Sequence, residues 1–257
     1  MTPFFEHTHK DISCELTRSV NDLGFDPDKL IEPERQEEAN PESLLTDREA
    51  LLSRVEGLEH TEQDFMELDD SNVIFDTPHE TGELLNCNQG CAVDNVEGDC
   101  GLVAIENIAR LAGKHVTEAD VFKIASEEGL CEVGNEDPGF NGGTSFIDQC
   151  AILEKIGISA TPFFVELAED LADIVESGRG VIAAVDAGML WEGFPYDADH
   201  AITVTSVERN PGGKPVAFYI CDSGTGGIDP SRRVSAGHLM DSLSRYNPLV
   251  MTDVPIR

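Results

Sequence analysis

Positive charge is what this 257-residue sequence has least of: 17 Lys+Arg stand against 50 Asp+Glu, a formal charge of −33. A field of that sign repels phosphate backbones and anionic headgroups, which argues against nucleic acid or a membrane surface as partner. Aromatic residues are scarce at 6%, and no run reaches the roughly 18 apolar residues of a membrane helix. The opening MTPFFEHTHKD has neither the basic n-region nor the apolar h-region of an ordinary secretory signal. Cysteines number seven, odd and irregularly spaced. That pattern argues against a disulfide framework and for synthesis in a reducing cytoplasm, although a protein secreted or delivered into a target cell without a cleaved signal would look the same.

What is present divides unevenly along the chain. Residues 1–80 hold about 22 acidic and 6 basic residues, and stretches such as DPDKLIEPERQEEANPE offer little to bury. Leu44, Leu51, Val55 and Leu58 keep helical spacing. Residues 1–83 therefore read as an acidic extension, partly disordered or forming short helices. Residues 84–257 read as a folded domain. In that domain GLVAIENIARLAG predicts a helix stopped by Gly113. Thr117 with Asp120 predicts a capping box over EADVFKIASEE, and Thr144 or Ser145 caps FIDQCAILEKI before Gly157. ISATPFF, GVIAAVD, HAITVTSVER, VAFYICD and LVMTDV read as strands, with helices over ELAEDLADIVES and SAGHLMDSLSR. Helices first and an antiparallel sheet afterwards describe an α+β domain.

The densest chemical signal is GDCGLVAIENIA, where Cys100 heads a strong helix. A thiol there lies against the positive end of the helix dipole and near unpaired amides, which favours the thiolate. A cysteine nucleophile also needs an imidazole to manage its proton and a third group to orient that imidazole. DADHAITVTSVE puts His200 at the start of a strand, and YICDSG puts Asp222 at the exit of the next. If the two strands pair through NPGGKP, His200 and Asp222 meet at the open end of a hairpin.

Cys100 in GDCG, His200 in DHAI and Asp222 in ICDSG, in that order, resemble the papain-like cysteine peptidases. The resemblance covers about residues 86–257 and lies nearest to the double-glycine, bacteriocin-processing type and to papain-like domains of bacterial polymorphic toxins. It implies a papain-like fold with helices packed on an antiparallel sheet, and no cofactor. It also implies that Gln89, in NQGC, supplies an oxyanion donor together with the Cys100 amide. Gln89 lies 11 positions before Cys100, about twice the usual family spacing, so CAVDNVEGD has to loop out. The implied activity is cleavage of a protein or peptide through an acyl-enzyme on Cys100, with a cognate immunity or adaptor protein as a partner. Deamidation, transglutamination and acyl transfer use the same triad, and a noncatalytic acidic binding protein is a reading of another class.

The remaining cysteines and histidines read more plainly. Cys87 and Cys91 have half the spacing of a zinc site, but no second pair follows. No metal is expected there or at the terminal pair His7 and His9. Cys150 and Cys221 read as core residues. NGG at 141–143 and TGG at 225–227 read as turns, because neither has the lysine or the strand-to-helix context of a phosphate loop.

Overall fold

The computed structural model describes residues 65–68, 72–75, 85–195, 199–225, 231–244 and 248–257. The helical spacing at residues 44–58 and the His7/His9 pair lie outside these residues, as does most of the acidic segment. The described chain is α+β: eight strands form one sheet, and six helices pack on it.

Two strands come first, β1 (Phe65–Leu68) and β2 (Asn72–Phe75), paired antiparallel. They fall within the segment that charge set apart, yet β2 joins the main sheet through the register Val73↔Arg209 to Phe75↔Val207. The sheet thus begins before residue 84. Its signal is masked in sequence because Ile74 and Phe75, both buried, sit among acidic neighbours.

Helix α1 (Cys100–Leu111) follows a long irregular stretch, and every residue from Gly101 to Ala109 is buried. A helix apolar on nearly all sides belongs inside a domain. Leu102, Ile105 and Ile108 pack with Val121 and Ala125 of α2 (Glu118–Glu128) and with Ile152 and Leu153 of α3 (Phe146–Ile156). Each such side chain contributes about 1.5–3 kcal/mol of burial. The helix boundaries follow the local chemistry. Thr117 and Ser145 form capping boxes with Asp120 and Asp148, and Gly129 and Gly157 end the helices in the left-handed conformation.

The central strands are β4 (Val181–Asp186) and the eleven-residue β5 (Asp199–Arg209). One edge of β5 pairs with β4 and then with β2; the other pairs with β6 (Pro215–Cys221), which carries β7 (Arg232–Ser235). Beyond β4 lie β8 (Leu249–Thr252) and β3 (Ala160–Phe163). All pairings are antiparallel. Side chains alternate across the sheet with the strand period of two: Ile182, Ala201 and Val250 face α1–α3, whereas Val181, Ala183, Val185, Ile202 and Val204 face the other side. That second face is covered by α4 (Ala168–Glu176), α5 (Ala187–Glu192) and α6 (Ala236–Ser242). Helices therefore lie on both faces, more than the sequence reading of helices against one sheet. Helix α5 and strand β7 were not foreseen.

Candidate active site

Antiparallel pairing of β5 and β6 carries the site. In the hairpin, Thr203 pairs with Cys221, so the start of β5 and the exit of β6 share one end of the sheet. The turn is held by Asn210, whose side-chain oxygen accepts the N–H groups of Gly212 and Lys214. His200 and Asp222 meet there: Nε2 of His200 lies 2.8 Å from Oδ1 of Asp222, and both side chains are buried.

Asp222 has further partners. Trp191 Nε1–H donates to Oδ2 at 2.8 Å, the Gly224 amide donates to Oδ1 at 3.0 Å, and Arg232 Nη1 approaches Oδ2 at 3.3 Å. Burial pushes the Asp222 carboxyl up, but His200, Trp191 and Gly224 outweigh it and hold it below the usual carboxylate range. The indole of Trp191 lies 5.4 Å from the His200 ring at 57° and walls it. A Cβ on Gly224 would come within 2.6 Å of that indole, so this close packing requires glycine.

With Nε2 of His200 taken by Asp222, the other ring nitrogen is left for Cys100, whose thiol interacts with His200. Docking of α1 on β4 and β5 brings the thiol there, and Cys100 stays half-buried. Burial alone would raise the Cys100 thiol. The bond to His200, its charge, and the amides of Ala201 and Gly101 overcome that, so the thiol lies below its ordinary value. His200 responds in the opposite sense. Burial would lower it, but Asp222 and Cys100 push it up to about 10. Both directions favour a thiolate–imidazolium pair. By contrast, burial raises Cys91 and Cys131 and pushes Cys150 up to about 11, in each case with help from nearby carboxylates. Among the described free thiols, only Cys100 is lowered.

Helix geometry supplies donors beside the sulfur. Asp99 is the N-cap of α1, yet its side chain makes no cap bond, which leaves the first-turn amides for the site. The helix is seated by close contact at Gly101, where a Cβ would stand 2.2 Å from Thr144 Oγ1.

Gln89 lies beside this centre. Its Oε1 accepts from Ser223 Oγ at 3.0 Å, and its Nε2 donates to the Glu97 carbonyl at 2.9 Å. An amide nitrogen carries two hydrogens, so one remains. The eleven-residue spacing to Cys100 is absorbed by a loop whose ends meet: Gly90 N–H donates to Asp99 Oδ1 at 2.9 Å. The loop's stem is pinned to α1, because Asn86 and Asn107 exchange two hydrogen bonds, Asn86 N to Asn107 Oδ1 and Asn107 Nδ2 to Asn86 O.

One expectation is corrected here. Cys87 and Cys221 form a disulfide, so neither a zinc half-site nor a simple core cysteine describes them. The bridge joins positions 134 residues apart, a relation that an odd count and irregular spacing conceal. Among the described residues no cluster of three or more His, Cys, Asp or Glu side chains suits a metal, and no helix is long and apolar enough to cross a membrane. Sequence reasoning also missed Trp191, Ser223, Arg232 and Asp99. The first is the chain's single tryptophan, in the short apolar run AGMLWEG between two strands, and that was the available signal.

No family model matches the chain, and no curated protein matches it. Among solved structures it is similar to one from Bacillus anthracis described as a candidate C39-like peptidase. The two share 13% identity over 66% of this chain and 94% of that one, with a TM-score of 0.49.

Proposed function

We propose that this chain is a thiol hydrolase acting on peptide bonds, a cysteine peptidase of papain-like type. The observation that carries the reading is the buried His200–Asp222 hydrogen bond, with the Cys100 thiol lowered by His200 and the imidazole raised in turn. In the proposed reaction the Cys100 thiolate attacks the substrate carbonyl and a C–S bond forms. The Cys100 amide and the second Nε2–H of Gln89 hold the oxyanion. Imidazolium His200 gives its proton to the leaving amine as the C–N bond breaks, leaving a thioester. Neutral His200 then takes a proton from water, whose oxygen displaces Cys100. Asp222 keeps the imidazole oriented throughout, and no cofactor enters.

The finer reading is a double-glycine or toxin-type peptidase with an immunity or adaptor protein over the cleft. It is supported by motif order and by the Cys87–Cys221 bridge, which suits an oxidising compartment outside the cytoplasm. The test is labelling of the full chain by an electrophilic peptide probe. Labelling of the wild type and none of Cys100→Ala is expected; equal behaviour of the two overturns the reading. Intact mass of a modified target separates the outcomes of the same triad: two fragments mark proteolysis, about +1 Da marks deamidation, and a larger adduct marks transfer.

A further inference from the structure

The residue before the nucleophile carries a buried group that the reaction does not use. Asp99 is fully buried. Its Oδ1 accepts the Gly90 amide, but among the described residues no donor reaches its Oδ2. The ionisable neighbour that acts on Asp99 is another carboxyl, Glu118 of α2, itself buried, and both carboxyls hold amides of the same loop. Glu118 already accepts from Ala92 N–H on Oε1 and from Asn86 Nδ2 on Oε2, each at 3.2 Å. A buried carboxylate oxygen without a donor is costly, and a neighbouring carboxyl disfavours the charged form of Asp99 further. A single proton on Asp99, donated to Glu118, satisfies both.

We propose that Asp99 keeps its proton on Oδ2, directed to Glu118, and that this proton clasps the loop from Gln89 to Glu97 onto α1 and α2, making Asp99 a positioning residue for the oxyanion donor. Asp99 holds Gly90, Glu118 holds Ala92, and Gln89 lies next to the first of these. Loss of the proton places two negative charges face to face beneath the loop and releases it. This extends the peptidase reading and depends on it only for the role of Gln89; the proton and the clasp stand on the contacts themselves. Burial first, and then Glu118, push the Asp99 carboxyl up to about 8. Among other titratable groups, Glu97 of the loop stands beside Gly90. Cys91 of the loop feels both Glu118 and Asp99, Glu106 with its ion-pair partner Arg110 meets Glu118 only through Asn86, and Gly142 and Val96 on the remaining side are uncharged.

The experiment is amide hydrogen exchange of the full chain in a Cys91→Ser background, read as protection factors of Gly90 and Ala92 from pH 6 to 9. Protection should fall about tenfold between pH 7 and 9, since about one molecule in ten keeps the proton one unit above its pKa. Asp99→Asn can accept from Gly90 and donate to Glu118, so it should retain protection at pH 7 and show no fall. A wild-type profile without a transition overturns the proposal, whatever the variant does. If peptide turnover is measurable, its wild-type alkaline limb lies near 8 and moves toward the His200 range in Asp99→Asn, a change that a merely structural residue would not give. An exchange transition together with an inert Cys100 would instead retain the clasp and refute the peptidase.

Discussion

Reducing the Cys87–Cys221 bridge should weaken the fold and the site together. The bridge spans 134 residues, and closing a loop of that size corresponds to about 5 kcal/mol in the chain-entropy model; native bridges commonly contribute about 2–5. A loss of about 3 kcal/mol, with a denaturant slope of about 2 kcal/mol per molar, moves the urea midpoint down by about 1.5 M. Cys87 lies two residues before Gln89, and Cys221 one before Asp222, so the loss falls where Gln89 meets Ser223. Fluorescence of the single tryptophan, Trp191, which bonds Asp222, reports the transition at the site. Urea unfolding with and without a phosphine reductant, with thiols counted by alkylation of the denatured chain, is the assay. Two additional thiols after reduction and a lower midpoint are expected. Equal thiol counts would refute the bridge, and equal midpoints with two more thiols would refute its contribution to stability.

Replacing Asp222 by Asn removes the charge that raises His200 and so lowers the thiolate population at neutral pH; turnover of a peptide substrate should fall by about 10²- to 10⁴-fold, and unchanged turnover would dismiss the triad. Alkylation of Cys100 by iodoacetamide needs no oxyanion loop. Because its thiol is held below the ordinary value, the rate should persist to lower pH than that of an ordinary thiol, whereas Cys150, pushed up to about 11, reacts only in base. Equal pH profiles at the two positions would exclude the ion pair. Gly101→Ala sets a methyl 2.2 Å from Thr144 Oγ1; overpacking there should lower stability by about 1–3 kcal/mol, measured by thermal unfolding, and a neutral result would mean that α3 is not seated on α1 as described.

Local features were legible in the sequence and distant ones were not, for a physical reason. Thr117 with Asp120 and Ser145 with Asp148 form caps from residues three apart, so their pattern is complete within one turn. The His200–Asp222 contact was also legible, because one hairpin with a recognisable turn decides it. Strand β2 depends on a partner near residue 209, and the short β7 depends on β6. Trp191 gains meaning only once Asp222 and His200 surround it. Asp99 reads as a turn former beside glycine, and nothing local tells that Glu118 will face it across the interior.

The charge that dominates the composition bears on the site in a limited way. Residues 85–109, which include the Gln89 loop and the start of α1, contain no Lys, Arg or His. A negative surrounding field disfavours a thiolate and favours an imidazolium by similar amounts. A pair made of both has no net charge, so the field largely cancels. A lone activated thiolate would be disfavoured in such a chain; one tied to His200 is not. Asp99 comes under the same constraint, since burial and the neighbouring Glu118 both disfavour its charged form and no described donor reaches its Oδ2. On the proposed reading, charge around Cys100 is neutralised locally, by the imidazolium of His200 at the thiolate and by the proton kept on Asp99.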